Sequence, residues 1–184
     1  MPRIALRRVA FDRVAGIALG ALIGLGGLAS CATPKAPITF PEQPIQIVAP
    51  STPLDAPVFV RQGPFQRTKA NPEGVLFRCR KELNAAKIFS AVLDAPAAEG
   101  EPSWELRVAA ADYGEVDAYT FEIQGALVRS RELIASYGSK QTLRGTPGAQ
   151  LTIGAADLGK LVERAIQDMV RQIAADTERL RTTK

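Results

Sequence analysis

Two periods follow one another along the carboxy-terminal half of the chain, and together they restrict the fold more than any other feature. Trp104, Leu106, Val108 and Ala110 are separated by Glu105, Arg107, Ala109 and Ala111, and Tyr119, Phe121, Ile123, Gly125 and Leu127 by Thr120, Glu122, Gln124 and Ala126. Successive side chains of a strand point to opposite faces, so a period of two predicts two half-buried strands. Asp112-Tyr113-Gly114-Glu115 has the chemistry of the turn between them. Ser130-Arg131 is a tight connection to a third strand, which starts with Leu133, Ala135, Tyr137 and Ser139 and ends near Leu143. Three consecutive strands with short turns predict an antiparallel meander. Beyond the Gly/Pro-rich turn Gly145–Gly148 the period changes. Leu158, Leu161, Val162, Ala165, Ile166, Met169, Val170 and Ile173 recur at three and four, with Lys160, Glu163, Arg164, Gln167, Asp168 and Arg171 opposite them. Such a stripe predicts a helix lying across the apolar face of the sheet.

Upstream, Val58-Phe59-Val60 reads as a short strand. Asn71-Pro72-Glu73 has the make-up of a helix start: Asn caps, Pro suits the first helical position and Glu favours the positive end. The helix is predicted from about Pro72 to Ala86, with Val75, Leu76, Cys79, Leu83 and Ala86 on one face. Phe89, Val92 and Leu93 read as a further short strand before the loop of residues 95–100. The predicted class is α+β: a mainly antiparallel sheet, the three-strand meander plus short strands, with two helices on one face. Residues 58–184 are enough chain for one domain with its own core.

The first 30 residues read as an address. Residues 1–13 are basic, residues 14–28 are uncharged and mostly apolar, and Ala29 and Ser30 follow. A positive end, a short apolar run and small residues before a cut site describe a secretory signal. The run is shorter than a bilayer-spanning helix prefers and holds several glycines.

Leu28-Ala29-Ser30-Cys31 resembles the lipobox of bacterial lipoproteins, Leu–small–small–Cys, at all four positions. The resemblance implies that the signal is cut before Cys31, that its sulfur receives a diacylglycerol, and that the new amino group is acylated, so that membrane lipid holds the protein through Cys31. Several acyl chains, palmitate among them, fasten a protein firmly to a bilayer. Position 32 is Ala, not the Asp that retains such proteins at the inner membrane, and this implies an outer-membrane anchor with the body in the periplasm. The alternative is an uncleaved transmembrane anchor with an incidental cysteine.

Residues 32–57 hold seven of the thirteen prolines of the chain. Proline fixes φ and lacks an amide donor, which favours an extended spacer. The opposite reading lays part of this segment on the domain, where Ile45-Gln46-Ile47-Val48 could pair with a sheet edge.

Leu83-Asn84-Ala85-Ala86-Lys87-Ile88-Phe89-Ser90-Ala91-Val92 resembles a helix–turn–Phe–strand pattern of periplasmic lipoproteins. With the meander and terminal helix that follow, the domain is similar to the auxiliary lipoproteins of ABC-type lipid transporters and to the α+β domain at the amino terminus of the TolB translocation protein. Lys87-Ile88 stand where that family usually has a Gly before the Phe. The resemblance implies a non-catalytic part of an envelope assembly and brings no catalytic residue with it.

Composition agrees with a non-enzymatic role. The chain has no histidine and two cysteines, so the commonest general base and neutral metal ligand are missing. Its net charge of +4 is concentrated in the leader, where Arg3, Arg7, Arg8 and Arg13 outweigh Asp12. The near-neutral remainder argues against a nucleic-acid partner. Cys79, on the apolar helix face, reads as a buried structural thiol. Asp112, Glu115 and Asp117 read as turn residues before they read as Ca²⁺ ligands, and Tyr137-Gly138-Ser139-Lys140 lacks the glycine spacing of a phosphate loop. Arg78, Arg80, Lys81 and Lys87 are expected to line one solvated side of the first helix, with contact to acidic lipid as the other reading. No catalytic group, cofactor or metal is expected. Two functions remain: an envelope-complex subunit or adaptor with an unidentified protein partner, and a carrier of lipid or another hydrophobic ligand in a cavity near Ala110, Gly125 and Ala135.

Overall fold

A computed structural model describes residues 43–148 and 150–183. The leader, Cys31 and the first part of the proline-rich segment lie outside the described residues.

Where the chain enters the domain, Leu54 and Ala56 are core residues, 1% and 3% exposed. The Leu54 amide donates to the Ile88 carbonyl at 2.7 Å, and Leu54 bridges Phe89 in parallel. The elements that follow are β1 (Val58–Gln66), α1 (Pro72–Ala86), β2 (Val92–Leu93), β3 (Trp104–Gly114), β4 (Ala118–Arg129), β5 (Glu132–Arg144), α2 (Ala155–Ala175) and α3 (Thr177–Thr182). The strands form one sheet in the order β2-β1-β3-β4-β5. β1 runs parallel to β2 and β3, and β3, β4 and β5 form the antiparallel meander. Helix α1 packs on β1 and β2, α2 packs on β4 and β5, and the two helices touch each other. The class is α+β, as the two periods require.

Local chemistry explains the two ends of α1 and the turn between β4 and β5. The Asn71 side chain accepts from the Glu73 amide at 3.1 Å, Pro72 opens α1, and Lys87 at φ 50° closes it. The five residues with helical spacing, Val75, Leu76, Cys79, Leu83 and Ala86, are the five that α1 buries. Ser130 and Arg131 take φ of 52° and 71°, the left-handed pair that joins twisted strands in two residues. In α2 the stripe from Leu161 to Ala174 is buried and Leu158 is partly so.

Five features depart from the sequence reading. β1 continues past Val60 through Gly63-Pro64 to Gln66, because a register shift against β3 between Gln62 and Phe65 accommodates the proline. The shift needs glycine: a Cβ on Gly63 would stand 2.9 Å from the Val108 carbonyl oxygen. The apolar run after α1 supplies only the two residues of β2, with Phe89 in an isolated bridge. β3 extends to Gly114, so Asp112 lies inside a strand, buried, accepting from the Lys69 amide at 2.6 Å. In β5 the pairing jumps from Leu127↔Ala135 to Val128↔Leu133, which makes Ile134 a bulge and leaves Leu133 63% exposed. A six-residue helix, α3, follows α2 where the sequence predicts none; Thr177 bonds back to the Ile173 and Ala174 carbonyls at the start of it. Ile45-Gln46-Ile47-Val48 forms no ladder, although Ile47 packs against the core.

Helix and sheet meet most closely at Gly125, where an added Cβ would stand 2.8 Å from Met169 Sδ and 3.0 Å from Leu106 Cδ1. Overpacking a filled core costs about 1–3 kcal/mol. Gly125→Val is expected to lower stability by that amount in urea denaturation, and adding Met169→Ala should recover part of the loss. A Gly125→Val chain as stable as the parent would contradict this packing.

Candidate docking surface: the open sheet face and its outer strand

With both main helices on one side, the other side of the sheet is left to solvent. Its middle is made of small and polar side chains, Ala109, Ala111, Thr120, Gln124, Ala126 and Ser136 among them, alternating with the buried residues of the same strands. Two depressions lie there. One, of about 180 Å³, has Ala109 and Ala111 with Pro64 and Gln66 on one side, Glu122 and Gln124 on the other, and half-exposed Tyr113 at its end. The second, of about 410 Å³, is lined by Ala126, Ser136 and Gly138 between Glu122 and Lys140. A third, of about 180 Å³, lies between the amino-terminal ends of α1 and α2, bounded by Gly74, Arg78, Leu158 and Gly159. The room that a carrier would need over Gly125 is taken by Met169 and Leu106.

Charges on the open face are matched within and across strands. Glu105 accepts from Arg107 at 2.7 Å and from Arg61 at 3.4 Å, and the Arg107 hydrogen bond holds its carboxyl below the ordinary range. Glu122 and Lys140 are register partners, and Gln124 donates to Glu122 at 2.8 Å. The face therefore offers balanced polar chemistry and no single-sign field.

The residues singled out in the sequence fall as follows. Cys79 is fully buried, and burial pushes its thiol up to about 12, which makes it inert at neutral pH. Asp112, Glu115 and Asp117 are not brought together as ligands; among the described residues no group of three His, Cys, Asp or Glu is placed to hold a metal. Ser139 and Lys140 lie within β5. The basic side of α1 is divided: Arg78 donates to the Gly159 carbonyl at 2.8 Å and Arg80 to the Val60 carbonyl at 3.4 Å. Both arginines thus bind α1 to its neighbours, and only Lys81 and Lys87 remain as exposed cations of that set. Cys31 lies outside the described residues.

Three contacts at the margins of the sheet were not read from the sequence. Gln172 Nε2 of α2 reaches the Gly138 carbonyl of β5 at 2.8 Å. Tyr137 of β5 donates to Asp176 Oδ2 at 2.6 Å, and Asp176, at the junction of α2 and α3, also pairs with Arg179. Burial, then the bond to Asp176, hold the Tyr137 phenol above its usual range, whereas the Arg179 hydrogen bond holds Asp176 below. Arg129 stacks over Trp104 with its guanidinium 4.9 Å from the ring centroid and reaches Asp55 at 3.9 Å and the Thr183 carbonyl at 3.4 Å. The incoming chain and the carboxy-terminal residues thus meet at one end of the sheet. An i,i+3 Asp176–Arg179 pair is visible in sequence; its link to Tyr137 is not.

No protein-family model matches this sequence, and no curated protein matches it. Solved structures resemble it at low identity. A point variant of the PelC dodecamer from Paraburkholderia phytofirmans is 14% identical, with 75% of this chain and 98% of that one covered and a TM-score of 0.48. A homolog of neuraminyllactose-binding hemagglutinin from Helicobacter pylori is 12% identical, covers 76% and 91%, and has a TM-score of 0.47. A minor lipoprotein from Acinetobacter baumannii is 10% identical, covers 70% and 95%, and has a TM-score of 0.45.

The lowered Asp176 carboxyl has a consequence for acid stability. A group held below its unfolded value of about 3.9 contributes stability above that value, and the contribution is lost as pH falls through the folded value. Unfolding free energy should therefore drop as pH falls below about 4, and the drop should be shallower in Asp176→Asn. Equal slopes in the two proteins over that window would remove Asp176 from the account.

Proposed function

We propose that the chain is an envelope lipoprotein, held to the outer membrane by acyl chains on Cys31, whose periplasmic domain works without catalysis by docking envelope protein on its open sheet face and outer strand. The observation that carries the reading is Leu28-Ala29-Ser30-Cys31 behind a basic end and an uncharged apolar run. An anchor of this kind gives a small domain a location. The proline-rich segment supplies reach: residues 32–46, ahead of the point where Ile47 packs on the domain, would span roughly 45 Å fully extended at about 3.1 Å each. Ala32 supports the outer membrane over the inner.

The domain supports a docking role in two ways. Its single thiol among the described residues is buried and weakly acidic, so it offers no nucleophile. Its accessible features are a solvated sheet face and a free strand edge, the backbone groups that add a partner strand. The finer reading is an auxiliary component of a lipid transporter, which rests on the pattern from Leu83 to Val92 and the order of elements after it.

Thiol counting on protein extracted from membranes tests the anchor. Lipid attachment turns the Cys31 sulfur into a thioether, so in denaturant the chain should present Cys79 as its only titratable thiol, and none should react rapidly in the native state. Mass spectrometry should find Cys31 as the first residue, carrying acyl chains. Two thiols in denaturant, or a peptide beginning at Met1, would overturn the proposal.

A further inference from the structure

β5 is the longest strand of the sheet, thirteen residues, and lies at its edge. From Ala135 to Arg144 it pairs without interruption with β4 on one side, and among the described residues no strand pairs with its other side. It contains no proline. Native proteins shorten, charge, kink or cover such edges, and one left long and open is a template for another strand.

Backbone direction fixes which groups the edge offers. In an antiparallel ladder the N–H and C=O of one residue point to the same side, and the side alternates along the strand. Gln172 Nε2, reaching over from α2, donates to the Gly138 carbonyl at 2.8 Å. The backbone groups of Gly138 therefore point away from β4, and those of Ser136, Lys140 and Thr142 point away with them. Gln172 has a second acceptor in Asp168 Oδ2 at 3.3 Å, so it can release Gly138 and keep a hydrogen bond.

The side chains of the same residues select what pairs there. The Ile134 bulge lies ahead of Ala135, so the alternation of faces is unbroken from there to Arg144. Lys140 and Arg144 stand four apart, opposite Glu122 and Ala118 of β4, and both lie on the open face. Among the described residues neither belongs to an ion pair. The only acid of β5 is Glu132, beyond the bulge. The other acids beside the strand are engaged: Glu122 accepts from Gln124, Asp168 pairs with Arg171, and Asp176 pairs with Arg179. From Ser136 to Arg144 the edge thus presents two unpaired cations on one face, and a second copy of that stretch has no carboxylate to set against them.

We propose that the outer edge of β5 binds an extended segment of another protein with carboxylates four residues apart. Its backbone continues the ladder at Ser136, Gly138, Lys140 and Thr142, its carboxylates pair with Lys140 and Arg144, and Gln172 competes with it for the Gly138 carbonyl. This rests on β5 being a docking edge, as the proposed function has it, and adds the chemistry of what docks. Side chains of an added strand alternate between faces, so a spacing of four brings both carboxylates to the cations, whereas a spacing of three turns one of them toward α2. Opposite charges facing each other across paired strands are favourable.

Selection from a random nine-residue peptide library on the full chain in detergent micelles tests the edge. The selected peptides should carry Asp or Glu four positions apart, and hydrogen exchange at the Gly138, Lys140 and Thr142 amides should slow when one is bound. Affinity, followed by fluorescence anisotropy, should fall about tenfold in Lys140→Glu and in Arg144→Glu, since each reversal replaces an attraction by a repulsion. The chain with both reversals should instead select Lys or Arg at that spacing, which a misfolded variant would not do. Gln172→Ala should tighten binding. Peptides that protect β5 without paired acids, or with affinity indifferent to the reversals, would overturn the acidic segment and keep the docking edge. So would β5 amides already protected by a dimer of the chain. Selected peptides that leave β5 unprotected, or a library that yields none, would remove the docking edge as well.

Discussion

The apolar stripe of α2 leaves water by lying on β4 and β5 and against α1, and that contact decides most of what the molecule can offer. Leu161, Val162, Ala165, Ile166, Met169, Val170 and Ile173 are all nearly inaccessible to solvent. They fit because the sheet is small where the helix is large, with Met169 resting over Gly125. Close packing of this kind leaves no methylene-sized slack. A helix–sheet interface filled in this way spends one face of the sheet on stability and leaves the other face and the outer strand to solvent.

The same economy governs the charges. Arg78 and Arg80 face helix and strand carbonyls, Arg129 joins Trp104 to the two ends of the domain, and Arg179 holds the acid that Tyr137 touches. Guanidinium groups suit these places because several donors diverge from one planar head. Cations used as struts are withdrawn from the surface field.

Much of this could be read from residues alone, and the limits are physical. The periods of two and three-to-four located β3, β4, α1 and α2, and Asn71-Pro72 marked the start of α1, because burial on one side of an element and a local cap are both written in short spacings. Bulges are not. One extra residue reverses the parity of everything before it, which is why Leu133 points outward despite standing in phase with Ala135. Gly63-Pro64 reads as an interruption of β1 until β3 is known to shift beside it. The contacts of Gln172 with Gly138 and of Asp176 with Tyr137 join positions more than thirty residues apart, and neither side chain is unusual in its own neighbourhood. Conversely, the leader and Cys31 lie outside the described residues, and their reading as a signal and an anchor rests on sequence alone.

An edge strand guarded by one amide is a different object from one guarded by proline or by a buried charge. Proline removes a donor permanently, and an inward lysine costs desolvation in every paired state. A glutamine hydrogen bond to a single carbonyl is worth about 1 kcal/mol and is exchanged, not lost, when another amide takes its place. Such a guard opposes chance pairing and stays exchangeable, because its amide has Asp168 as a second acceptor.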